Sequence, residues 1–416
     1  MSSCWASVPQ APPDAILGVA AAFRADPRPN KVNLSIGAYR DGEGRPYVLE
    51  AVRKAEARLV KEQPGHEYLP IGGLEPFQAG ARTLAFGKDG EYVAHSRIAT
   101  VQALSGTGSL RIAGEFLRRW YYTGKDKIEE RIIYVPAPTW GNHHKIFADC
   151  GLTVRTYRYF DPKTGGVDIA GLIEDVRAAP EGCVILFHSC AHNPTGADPT
   201  RDQWSEIHKV CCERHVCVVF DSAYQGFASG DPEADAYSLR LFARGGLDGK
   251  GQLPMLLCQS FAKNLGLYGE RVGAAHVICA NEEEAKRVKS QLETIIRPMY
   301  SNPPAWGARL AATVFADPEL MADWAREMKM MSGRINEMRS RLVEALKKAG
   351  STRNWEFIKK QIGMFSFTGL SKAQCDALIN EHAVYVTGNG RISMAGLNEH
   401  NVDYVAQAIH QVTLKY

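Results

Sequence analysis

Lys263 lies in the stretch "CQSFAKNLGLYGERVG" (residues 258–273), between two apolar runs, Met255 to Cys258 and Gly273 to Cys279. A lysine that stands where the chain leaves a buried strand is placed to serve as an amine nucleophile or base, whereas a solvated loop lysine needs no such setting. Other polar residues follow apolar runs in the same way: Ser105, Gly106, Thr107 and Gly108, then Trp140, Asn193, Asp221 and Tyr224. Asp221 ends the run "VCVVFD". An unpaired carboxylate is costly to bury there, so it is expected to face a cation or a ring N–H donor, with helix capping as the alternative. "SGTGSLR" follows a strand and opens a helix running toward Trp120, so its backbone N–H groups and the Ser105 and Thr107 hydroxyls are placed to hold an anion. Arg111 stands where a dinucleotide fingerprint needs its third glycine, and no Gly-x-x-x-x-Gly-Lys-Ser/Thr occurs, so a single phosphate is the economical ligand. In "HSCAHNPTG", the strand before and Pro194 after keep His188 and His192 off one helical face, so no metal is expected. His143 and His144, after Trp140, are placed either to orient a neighbouring carboxylate or to serve as structural histidines.

These residues need a scaffold that gathers strand ends. From about residue 97 to 280 the runs "RIATVQAL", "RIIYVP", "CVILFH", "VCVVFD" and "MLLCQS" alternate with amphipathic stretches, the rhythm of an α/β domain. Apolar throughout, they predict strands of a mostly parallel sheet buried on both faces, whose carboxyl ends form a binding crevice. "DQWSEIHKVCCERH" puts Trp204, Ile207, Val210 and Cys211 on one helical face and completes a βαβ crossover. Beyond Asp317-Pro318, Leu320, Trp324, Met328, Met331, Ile335, Met338, Leu342 and Leu346 recur at steps of three and four, predicting a long core helix closed by Gly350. "AVYVTGNGRISMAGL" then predicts a hairpin around Gly388-Asn389-Gly390 in a smaller α+β domain. A lysine, an acid, a tyrosine, an aromatic lid and a one-phosphate loop fit one cofactor, pyridoxal 5'-phosphate. Its aldehyde takes an amine, its pyridine nitrogen an acid, and its phosphate a helix amino end.

Composition excludes other classes. With 416 residues, 45% hydrophobic and 23% charged, the chain is globular and long enough for one large domain and a smaller companion. A net charge of +3, without a long basic run, gives no footprint for nucleic acid. Ten cysteines with no Cys-x-x-Cys pair predict reduced thiols and a cytoplasmic location. No basic residue precedes Arg24 and no apolar run is long enough to span a bilayer, so no leader and no membrane partner are expected.

From "VNLSIGAYRDGEG" at Val32 toward the carboxyl terminus, the motifs "EYLPIGG", "SGTGSLR", "PTWGNH", "HNPTG", "DSAYQGF", "SFAKNLGLYGERVG", "RPMYSNPP", "GMFSF" and "GRISMAG" follow one another. In that order the chain resembles the aspartate aminotransferases of the class I, fold type I family. The resemblance implies a large cofactor-binding domain at 48–328, with an amino-terminal arm (1–47) and a small domain (329–416). It implies Lys263 as the cofactor lysine and Asp221, supported by His143, as the partner of the pyridine nitrogen. Asn193 and Tyr224 would meet the phenolic oxygen and Trp140 would stack on the ring. Ser105, Gly106, Thr107, Ser260 and Arg271, with Tyr68 from the other subunit of a homodimer, would form the phosphate cup. Arg391, with Gly37 beside it, would take the substrate α-carboxylate, and Arg297 of the other subunit the distal one. Gly269 and Ser109 stand where the family usually has asparagine and alanine, which bears on local loop geometry alone. The activity implied is ping-pong amino transfer between L-aspartate and 2-oxoglutarate. A broader aspartate/aromatic aminotransferase and a non-catalytic phosphate-anion binding protein are the alternatives.

Overall fold

The computed structural model describes residues 3–12, 14, 16–246 and 249–416. At its centre lies a seven-stranded sheet. Its strands, in chain order, are β1 (Ile98–Leu104), β2 (Ile132–Ala137), β3 (Thr153–Arg158), β4 (Val184–His188), β5 (Cys217–Ser222), β6 (Met255–Ser260) and β7 (Val272–Ile278). Across the sheet they run β1-β7-β6-β5-β4-β2-β3. All neighbours are parallel except β7, which is antiparallel to both β1 and β6. Side chains alternate between two cores. Along β5, Val218 and Phe220 pack in one, Cys217 and Val219 in the other, and helices cover each face.

Two strands were not foreseen as sheet members. β3, "TVRTYR", is the sheet edge and half exposed, so its residues are mixed rather than uniformly apolar. β7 is apolar like the parallel strands of the sheet because it too is covered on both faces, and nothing in such a run reveals its direction.

Four helices position the site: α1 (Ser105–Phe116) after β1, α2 (Asn142–Asp149) after β2, α3 (Arg201–Glu213) between β4 and β5, and α4 (Glu282–Tyr300) after β7. A fifth, α5 (Pro318–Lys348), is 31 residues long; the Asp317 carboxylate accepts from Glu319 N and Leu320 N at its start, and the expected apolar stripe is buried. Around its carboxyl half are helices and short strands from both ends of the chain: Val32–Asn33 pairs in parallel with Val384–Tyr385, and Phe365–Phe367 pairs antiparallel with Arg391–Ser393. The expected hairpin at 384–393 is therefore corrected. The turn is present, with Gly390 N donating to Thr387 O at 3.0 Å, but each arm finds its partner elsewhere. Ala383 O and Tyr385 O accept from Val32 N and Leu34 N, while Arg391–Ser393 takes its ladder from Phe365–Phe367. No helix among the described residues is long and apolar enough to cross a membrane.

Candidate active site

Adjacent parallel strands bring His188, Asp221 and Cys258 level with one another at the carboxyl end of the sheet. A cavity of about 250 Å³ opens there, lined by Gly37, Ser105, Gly106, Thr107, Trp140, Asn193, Asp221, Tyr224, Ser260, Lys263 and Arg271. Arg391 stands beside it, its guanidinium donating to Asn193 Oδ1 at 3.3 Å and to Ser35 O at 2.7 Å. Two other expected residues lie apart. Within one chain Tyr68 is 83% exposed and Arg297 is on the surface near the end of α4.

The anion end is built by α1. Ser105 begins the helix with φ +59°, which turns the chain sharply from β1 and leaves the next backbone N–H groups without helical acceptors. Ser105 Oγ and Ser260 Oγ are 2.9 Å apart, Ser105 N donates to Arg271 O, and a Cβ on Gly106 would lie 3.1 Å from Ser260 Cβ. Because β7 runs opposite to β6, the loop between them carries Lys263 out and Arg271 back at one end of the sheet. Ser109, a departure from the family pattern, is absorbed locally: its hydroxyl donates to Ser105 O and Gly106 O inside α1. Nothing stands within 4 Å of a Cβ placed on Gly269.

At the other end a chain of donors converges on Asp221. Asn193 N donates to His188 Nδ1 at 3.3 Å, which places the His188 proton on Nε2, facing Thr139 Oγ1 at 3.3 Å. Thr139 then donates to His143 Nδ1 at 2.8 Å, and His143 Nε2–H donates to Asp221 Oδ2 at 3.0 Å. Burial, helped by neighbouring His143, pushes His188 down to about 3, so it stays neutral. For Asp221, burial works upward, but the His143 hydrogen bond and the nearby Lys263 charge outweigh it and hold the carboxyl below its usual range. Asp221, His143 and His188 bring ligand-type atoms within 4.8 Å of one another, yet every nitrogen of both rings is already hydrogen-bonded, so the cluster is a relay rather than an open metal cage.

Lys263 lines the same cavity as Asp221, its Nζ 5.1 Å from the Tyr224 ring centroid. Burial and the nearby Arg271 and Arg391 charges lower its pKa, against the pull of Asp221. Burial raises the Tyr224 phenol, with Arg391 opposing. The loop bearing Asn193 is braced by Asp198, which accepts from Ala191 N at 2.6 Å and His192 N at 2.9 Å. Trp140 packs edge-on to His143, ring centroids 5.3 Å apart.

Several residues of the site escaped the sequence reading. Tyr268 lines the cavity and accepts Tyr39 N–H on its hydroxyl at 3.0 Å, tying the lysine loop to the Gly37 segment. Phe365 packs under Arg391, with the guanidinium carbon 4.2 Å from the ring centroid, and its ring edge lies 2.5 Å from where a Cβ on Gly37 would be. Tyr268 sits inside the quoted lysine motif and Phe365 inside "GMFSF", so their positions were marked while their contacts were not. Thr139 lies inside "PTWGNH" and His188 is weighed above only as a metal ligand, so their place in the relay to Asp221 escaped the sequence reading.

A lysine of lowered pKa and an ionised acid lining one cavity, with helix-start N–H groups and two serine hydroxyls beside them, are the parts of a group-transfer site. The family model for aminotransferases of class I and II matches residues 29–409, and the chain belongs to that family. It is 51% identical over 412 residues to the mitochondrial aspartate aminotransferase of Xenopus tropicalis, covering 99% of this chain and 94% of the relative. Among solved structures, the cytoplasmic aspartate aminotransferase of Saccharomyces cerevisiae superposes with a TM-score of 0.94 at 42% identity over 99% of both chains. An aromatic-amino-acid aminotransferase from Burkholderia pseudomallei, covalently bound to pyridoxal phosphate, gives a TM-score of 0.92 at 42% identity over 99% of this chain and 100% of that one.

Proposed function

We propose that the protein is a pyridoxal-phosphate-dependent aspartate aminotransferase, exchanging an amino group between L-aspartate and 2-oxoglutarate by a ping-pong route. The observation that carries this reading is the placement of Lys263 between the Asp221 relay and Arg391, with the Ser105 cup alongside. The residues fit the group: helix N–H groups, two hydroxyls and Arg271 meet a phosphate, an ionised acid meets a ring nitrogen, and an amine of lowered pKa meets an aldehyde. When bound, pyridoxal phosphate supplies the aldehyde that carries the amino group and the ring that disperses charge left on the substrate. The chain's own groups do the rest. Asp221 holds a proton at the ring nitrogen, Trp140 covers a ring face, and Asn193 and Tyr224 orient the phenolic oxygen. Lys263, neutral once released, moves the substrate Cα proton.

Specificity rests on guanidiniums. Arg391, with Gly37 leaving room beside it, takes the α-carboxylate by a fork of N–H donors. Arg297 and Tyr68 serve the partner's pocket in a homodimer, which accounts for their exposure on one protomer. A broader aspartate/aromatic specificity is favoured by the Burkholderia neighbour, as similar in sequence as the yeast one; turnover of aspartate against tyrosine and phenylalanine separates the two. A phosphate binder without catalysis would leave Lys263 and Arg391 without a task. We divide the chain into a large domain at 48–328 and an arm with small domain at 1–47 and 329–416, α5 crossing between them. Cys150, Cys183, Cys190, Cys211, Cys217, Cys258, Cys279 and Cys375 are buried thiols outside any disulfide, which fits the cytoplasm or another reducing compartment such as that of the mitochondrial relatives; fractionation of the native protein decides.

The test is the visible spectrum of the purified protein before and after adding aspartate, followed by borohydride reduction and peptide mapping. A lysine-linked absorbance that shifts with aspartate, and a label on Lys263, are expected. A label on another lysine rejects the assignment.

A further inference from the structure

Arg339 in α5 is 1% exposed, and its guanidinium forms no ion pair with any carboxylate among the described residues. Instead it donates to three main-chain carbonyls: Ile358 O at 3.1 Å, Gly363 O at 2.7 Å and Phe365 O at 2.6 Å. Its Nε has no partner, and burial lowers its pKa. A well-packed apolar side chain commonly holds a core at least as well as a buried charge does, so stability alone is a poor reason for this cation.

What it grips is informative. The segment runs from Ile358 to Phe365, and its Ile362 N donates to Gly196 O at 2.6 Å, on the loop that carries Asn193. Its last residue supplies the ring under Arg391, stands edge-on to Tyr224 at 6.2 Å, and fills the space left by Gly37. The strand that starts at Phe365 also pairs with the strand that starts at Arg391, Phe367 opposite Arg391. One guanidinium thus fixes both the ring beneath Arg391 and the backbone beside it.

We infer that Arg339 is a positioning residue of the Arg391 anion site, holding the Phe365 strand so that the Arg391 fork points at a carboxylate. This rests on the reading of Arg391 as the α-carboxylate group. Arg339→Met keeps the length and apolar stem but loses all three carbonyl bonds, whereas Arg339→Lys keeps the charge and part of the bonding. In the holoenzyme, Arg339→Met is expected to raise KM for aspartate about ten-fold, in proportion to lost charge-assisted bonding. An aromatic amino acid, which shares the α-carboxylate, should be affected equally, kcat should stay within about two-fold, and Arg339→Lys should recover part of the loss.

A merely structural role would lower melting temperature and cofactor content with KM unchanged, and that result overturns the inference. If Arg339→Met does not fold, Phe365→Leu carries the test, and an unchanged KM there overturns it as well. Arg391→Ala separates the two readings. If it raises KM while a folded Arg339→Met does not, only the present inference falls. If Arg391→Ala itself leaves KM unchanged for both substrates, the reading of Arg391 falls first and this one with it.

Discussion

Each proton between Asn193 and Asp221 has one place to go, because the chain starts at a backbone N–H that can only donate and ends at an ionised carboxylate that can only accept. Thr139 and the two imidazoles between these ends can each run in either direction, and the fixed ends decide for them. Thr139→Val should therefore slow the half-reaction with aspartate about ten-fold, and His143→Ala about ten- to a hundred-fold, as expected for hydrogen bonds to charged groups. Single-turnover rates check this, and an unchanged rate in both variants would show that Asp221 needs no support. Lys263 makes a prediction about stability instead. Its folded pKa is lowered, so the cofactor-free folded chain binds fewer protons than the unfolded chain, and stability rises with pH until the unfolded value of about 10.4 is passed. Lys263→Met should accordingly raise the melting temperature of the cofactor-free protein near neutral pH, with the gain fading toward pH ~10. A gain that is flat with pH would point to packing rather than charge. Lys263 and Asp221 were legible because a polar residue ending an apolar run stands out on its own. Phe365 and Tyr268 were not, since each gains its role from other segments of the chain, Phe365 from Arg391 and Gly37 and Tyr268 from Tyr39.

Among the elements, α5 was the most legible, for a stripe at steps of three and four has one reading when it persists over many turns. Leu342 on that stripe is fully buried, so Leu342→Ala should cost about 2–5 kcal/mol in urea unfolding while kcat per folded molecule at 25 °C is retained. A loss of kcat without a loss of stability would mean that the helix acts on the site beyond packing. The sheet was legible in its buried strands and not in β3, where edge exposure mixes polar and apolar residues. The direction of β7 was not legible at all, although it is this reversal that returns Arg271 to the mouth of the cavity. The turn at Gly388–Gly390 was read correctly from its glycines, but turn chemistry is local and strand pairing is not.

For the whole molecule, the outward position of Arg297 and Tyr68 gives the proposed shared site a test that needs no further structure. When Lys263→Ala and Arg297→Asp subunits are mixed and exchange, random pairing makes half the dimers mixed, each with one intact pocket of two. About a quarter of the wild-type aspartate activity should return. Confirmed exchange with no recovery would place both residues in one chain's pocket. The pairing of Val32–Asn33 with Val384–Tyr385 has a consequence for how the protein is made. During synthesis at roughly 5–20 residues per second, Val32 leaves the ribosome on the order of tens of seconds before Val384 exists. The sheet, whose strands all lie between Ile98 and Ile278, has what it needs to assemble in that interval. Ser35 O, by contrast, waits for the Arg391 guanidinium, so a nascent chain halted before residue 384 would carry the proposed phosphate cradle but lack the proposed grip on an amino acid.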